Sequence, residues 1–163
     1  MNINAKMVQM LFAGLLVSGC VGQTVQESGT QAAARIMFAQ KMDGPQQPGG
    51  KQCSVTVPAA GESKDFKMDG CGNDVVTFVK FDNVPSSTVV KLVSERSCWE
   101  NGDWWFNVRA IKHPTSSLWF DIRDLKGAYN TIIVPGVMRT TGHYDHGNIE
   151  GKLSCARIYA PAE

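Results

Sequence analysis

The chain has 163 residues, 43% of them hydrophobic, enough for one ordinary domain and a single core. Its 16 basic and 15 acidic side chains leave a net charge of +1. That balance excludes the electrostatic footprint of a nucleic-acid-binding protein and the basic stripe that adsorbs to anionic lipid.

Residues 1–19 read as a secretory signal. Lys6 gives a short positive start, and no acidic residue precedes Cys20. Met7 to Val17 runs apolar, broken by Gln9 and by Ala13-Gly14. The run is shorter than the ~20 apolar residues a bilayer span needs. Val17-Ser18-Gly19-Cys20 follows, with small residues before a cysteine. This resembles a bacterial lipobox, with Val17 where Leu is commoner. The resemblance implies cleavage before Cys20, a diacylglycerol on its thiol, and a protein of the cell envelope held by acyl chains rather than by charge. Val21 in place of Asp implies an outer-membrane destination by analogy. Removing residues 1–19 removes Lys6 and no acid, leaving 15 basic against 15 acidic residues.

Residues 20–50 are rich in Gln, Gly, Ala and Ser and read as a lipidated tether. Thr30 can cap a short helix over Gln31–Met42, stopped by Asp43-Gly-Pro-Gln-Gln-Pro-Gly-Gly50. Residues 51–163 form the domain, and their pattern is β. Cys53–Val57, Val75–Phe81, Thr88–Val93 and Trp104–Ile111 alternate or are β-branched. So do Leu118–Ile122, Thr131–Val134 and Lys152–Tyr159. Asp69-Gly, Asn101-Gly, Lys126-Gly, Pro135-Gly and His146-Gly punctuate them. Short strands at regular spacing predict an all-β sandwich or barrel.

With Cys20 set aside, Cys53, Cys71, Cys98 and Cys155 remain, an even number suited to an oxidising compartment. Four cysteines allow three pairings, and sequence does not choose among them. Short loops close at lower entropy cost, which favours Cys53–Cys71 with Cys98–Cys155.

Asn73-Asp74-Val75-Val76-Thr77 and Glu150-Gly151-Lys152-Leu153-Ser154 carry a family resemblance. Each is similar to the loop motif of βγ-crystallin domains, two Asn/Asp, two variable positions and a Ser/Thr. Phe78 departs from the motif where a second Ser is usual, and the second copy is degraded. Asp82-Asn83-Val84-Pro85-Ser86-Ser87 fits the letters too, but Pro85 and its place between strands make it a turn. The resemblance covers residues 51–160. It implies a Greek-key βγ-crystallin-like sandwich with calcium between the paired loops, held by Asn73, Asp74, Thr77, Glu150 and Ser154. Independently of the family, calcium takes six to eight hard oxygens from carboxylates, amides and carbonyls. The same residues also suit plain side-chain-capped turns.

His143-Tyr-Asp-His146 offers two imidazoles and a carboxylate in a Gly-flanked loop, where polar residues accumulate in any case. Trp99, Trp104, Trp105 and Trp119 suit either core packing or stacking on sugar rings. Trp105 and Trp119, opposite Phe106 and Phe120 in the alternation, are the binding candidates. No nucleophile elbow or Gly-rich phosphate cradle is evident, and Glu95, Glu100 and Asp103 fit a charged hairpin as well as catalytic carboxylates. The expectation is a non-enzymatic envelope module that binds a protein or glycan. The alternative is an envelope inhibitor or immunity protein against a toxin or hydrolase.

Overall fold

The computed structural model describes residues 32–162. The signal segment, Cys20 and the first part of the expected tether lie outside the described residues. Ten strands and two short 3-10 turns, Met68–Gly70 and Ile122–Leu125, make up an all-β domain. The strands are β1 Arg35–Gly44, β2 Gln47–Thr56, β3 Ser63–Lys67, β4 Phe78–Asp82 and β5 Val89–Val93. They continue with β6 Trp104–Ala110, β7 Phe120–Asp121, β8 Thr131–Val134, β9 Val137–Tyr144 and β10 Cys155–Tyr159. Every pairing is antiparallel. Among the described residues no helix is long and apolar enough to cross a membrane.

The strands form two sheets. One runs β2-β1-β4-β7, the other β3-β10-β5-β6-β9-β8. β3 leaves its neighbours β1, β2 and β4 for the larger sheet, and β7 goes the opposite way. Period-two alternation supplies the core. Ile36 and Phe38 of β1 and Val79 and Phe81 of β4 point inward from one sheet. Val90, Leu92, Trp104, Phe106, Ala156 and Ile158 point inward from the other. Ring stacking of Phe38 on Phe66 at 5.7 Å ties β1 to the strand that crosses over.

The expected tether and helix are corrected by β1 and β2. From Arg35 onward this segment pairs as a hairpin in register Ile36 with Val55 and Phe38 with Cys53. Ile36 and Phe38 alternate with partly exposed Met37, and both are wholly buried. Packing thus overrides the helix-compatible composition. Pro45-Gln46 form the two-residue turn of this hairpin, with Gln46 in the left-handed region at φ 57° and the flanking Asp43-Gly44 and Gln47-Pro48 in the strands. The segment Asp82–Ser87 is a turn between β4 and β5, as read from sequence. Two disulfides join Cys53 to Cys71 and Cys98 to Cys155, each with a Cα separation of 5.3 Å. The first staples β2 to the turn after β3. The second fastens the β5–β6 loop onto β10.

Candidate functional site

Two regions bring functional residues together. The first is the meeting of the two five-residue loops. Val76 and Leu153, the fourth residue of each, form an isolated antiparallel bridge and are wholly buried. The second residue of each loop is left-handed, Asp74 at φ 57° and Gly151 at φ 62°. Asp is among the few side-chain-bearing residues that tolerate that region, and glycine adopts it freely. The second and fifth residues then exchange bonds across the pair. Ser154 Oγ donates to Asp74 Oδ1 at 2.8 Å, and Gly151 N donates to Thr77 Oγ1 at 3.0 Å. The loops therefore meet about a local pseudo-twofold centred on the bridge.

The two halves of that arrangement differ in charge. Beside Asp74 lies a polar cleft of about 380 Å³, lined by Asn73, Ser94, Glu95, Asp103 and Lys152 among others. Asn73 Oδ1 is buried without a partner, and Lys152 Nζ stands 3.9 Å from Asp74 Oδ2. In the other half Arg123 Nη1 donates to Glu150 Oε2 at 2.9 Å, while the same guanidinium grips Asp121. Asp121 raises the Arg123 pKa, with a smaller contribution from Glu150. Among the described residues no three His, Cys, Asp or Glu side chains converge as a metal cluster. A cation near Asp74 would rest on one carboxylate plus neutral oxygens. The orphaned Asn73 Oδ1 and the Ser154 hydroxyl fit a hard cation, whereas Lys152 competes for the same carboxylate.

The second region is the outer face of the six-stranded sheet. Alternation turns Arg157 and Tyr159 of β10 outward, together with Lys91 of β5 and Trp105, Asn107 and Arg109 of β6. Val93, Cys98 and Cys155 form a small buried cluster on this same face, with Trp105 packed against it. That cluster and its disulfide hold the β5–β6 loop against the sheet. The loop delivers Trp99, which is 64% exposed, beside Arg157, whose guanidinium carbon is 5.3 Å from the ring centroid. Lys91 Nζ lies 5.5 Å from the Trp105 ring and 5.9 Å from that of Tyr159. Asp65 on β3 pairs with Arg157, and Glu100 in the loop pairs with Lys91. The Arg157 hydrogen bond holds the Asp65 carboxyl below its ordinary range, and Asp65 in turn raises Arg157. Asn107 Nδ2 donates to Thr141 Oγ1 at 2.8 Å, and its Oδ1 has no partner.

Of the tryptophans singled out, Trp105 lies on this face but Trp119 does not. Trp119 is 7% exposed, and its backbone N and O are both bound by the Gln46 side chain. The β1–β2 hairpin covers it, so Trp119 is a packing residue. Trp99 is the second tryptophan beside this face. Its signal was the adjacent Cys98, which fixes the loop to the sheet. The histidine pair is split. His143 stands opposite Trp105 on β9, while His146 contacts Asp103 at 3.1 Å and Asp145 at 2.9 Å. These carboxylates, Asp145 first, raise the His146 pKa. No family model matches the chain, and neither a curated protein nor a solved structure matches it.

Proposed function

We propose that this protein is an exported, lipid-anchored binding module that engages a glycan through the outer face of its six-stranded sheet. The observation that carries the reading is the group of Trp99, Trp105 and Tyr159 on one face with polar side chains between them. Flat aromatic faces stack on sugar rings, and neighbouring polar groups bond the hydroxyls. Neighbouring aromatic rings rimmed by polar groups mark a binding surface more than a single exposed ring does. Retention on insoluble envelope glycan should therefore fall in Trp99→Ala and Trp105→Ala and persist in Asp74→Ala. Equal retention of all three variants would remove the reading.

Anchoring rests on the sequence around Cys20. Radioactive fatty acid should label the wild type and leave Cys20→Ala unlabelled; a labelled variant would sink the anchor.

For the fold, we infer a βγ-crystallin-like double Greek key. Its support is the strand order β2-β1-β4-β7 facing β3-β10-β5-β6, in which each four-strand unit lends its third strand to the other. The pseudo-twofold pairing of the Asn73 and Glu150 loops supports the same reading. Calcium would then bind beside Asp74 once rather than twice, because Arg123 already neutralises Glu150. Asn73, Asp74 and Ser154 would hold it, supplying an anionic and two neutral oxygens. The melting midpoint should rise in millimolar calcium relative to chelator, since a ligand at 100 times its dissociation constant adds about 2.7 kcal/mol. Magnesium should do much less, and Asp74→Ala should abolish the rise. Superimposed melts in calcium and chelator would reduce these loops to turns.

A further inference from the structure

We propose that the glycan taken by this face is acidic, a polysaccharide carrying carboxylates on its sugar rings. The inference rests on the glycan-binding reading and adds the charge class of the ligand. Following the ladder across the sheet, the outward charged residues are Lys67, Lys91, Arg109 and Arg157 against Asp65 and Glu100. The chain as a whole is nearly balanced, with 16 basic and 15 acidic residues, so cations are concentrated here.

These cations divide into two kinds. Lys91 and Arg157 are held in place, with side chains 12% and 20% exposed, each between a carboxylate and aromatic rings. They fix the platform. Arg109 and Lys67 are exposed and form no ion pair among the described residues. They bracket the aromatic group, Lys67 on the β3 edge and Arg109 beyond Asn107 along β6. A guanidinium offers a planar fork to a carboxylate, and an ammonium offers a point charge. A chain of sugar rings lying over Trp99, Trp105 and Tyr159 would bring ring carboxylates to these two free cations.

The test compares polygalacturonate, dextran and a thymidine oligonucleotide as ligands in titration calorimetry with the purified protein. Polygalacturonate should bind, and its affinity should fall roughly tenfold or more between about 0.05 and 0.5 M salt. Dextran should bind at least tenfold more weakly, and the oligonucleotide should not compete. Arg109→Gln should weaken polygalacturonate severalfold without changing dextran or the melting midpoint, because Arg109 is exposed and unpaired. Trp99→Ala should weaken both sugars together. Equal, salt-insensitive binding of both polysaccharides would overturn the acidic assignment and leave the glycan reading standing. Oligonucleotide binding that displaces polygalacturonate would also overturn it. Binding of neither polysaccharide would overturn both readings.

Discussion

The double variant Cys98→Ser/Cys155→Ser is expected to lose about 4 kcal/mol of stability, the loop-closure value for a bridge spanning this many residues. The bridge separates its cysteines by 57 positions, against 18 for Cys53–Cys71, whose loss should cost nearer 3 kcal/mol. Both cysteines of the longer bridge are buried, so serine there adds a polar group to a small apolar cluster with Val93 and Trp105. The loss also has a local meaning. The β5–β6 loop reaches the outer face of the sheet because Cys98 is tied to β10. Without the tie, Trp99 and Glu100 are freed from Arg157 and Lys91. Denaturant unfolding should show the drop in midpoint, and glycan retention should fall with it. A variant that unfolds within 1 kcal/mol of wild type would contradict this account of the loop.

Trp104→Ala should be as damaging, about 3–5 kcal/mol. Trp104 is wholly buried, stacked on Phe106 at 5.4 Å, and its indole Nε1 donates to the Asn148 carbonyl at 3.1 Å. The alanine variant opens a cavity in the core where β6 begins and also releases the 148–154 loop that faces Asp74. Trp104→Phe separates the two effects. It keeps most of the packing and leaves the carbonyl without its donor, at a cost of about 1–3 kcal/mol. Chemical denaturation of the two variants reads both numbers. Equal costs would show that the hydrogen bond, not the packing, is what matters at this position.

Much of the all-β pattern was legible because burial on one face writes period-two alternation into the sequence. Trp104–Ala110 is the clearest case, with inward Trp104, Phe106, Val108 and Ala110 all buried. β3 was not legible, since Ser63-Lys-Asp-Phe-Lys67 is an edge strand with one inward aromatic and charges elsewhere. β1 was misread for a different reason. Ala, Gln, Met and Lys in Arg35–Gly44 favour a helix locally, and only pairing with β4 and β2 recovers the alternation of Ile36 and Phe38. The pairing of cysteines followed loop length correctly. The meeting of the Asn73 and Glu150 loops is what their resemblance to βγ-crystallin loops implies. The grip of Arg123 on Glu150 was not legible, because it depends on where the 3-10 turn after β7 comes to rest. The outer platform was half visible. Trp105 announced itself by alternation, whereas Trp99 depends on a covalent tie between distant segments.

The exchange of β3 and β7 between the sheets means that the chain cannot mature half by half. When β4 has left the ribosome, its sheet still lacks β7, and β3 has no neighbour, because β10 is the last strand to arrive. Hairpins such as β1–β2 and β5–β6 can form early, but the β3–β10 pairing joins early sequence to late and must wait for the whole chain, and such long-range pairing slows folding. The larger sheet gains its β3 edge only when residues 155–159 slot between β3 and β5, so the last strand made is the one that joins the first half of the chain to the second.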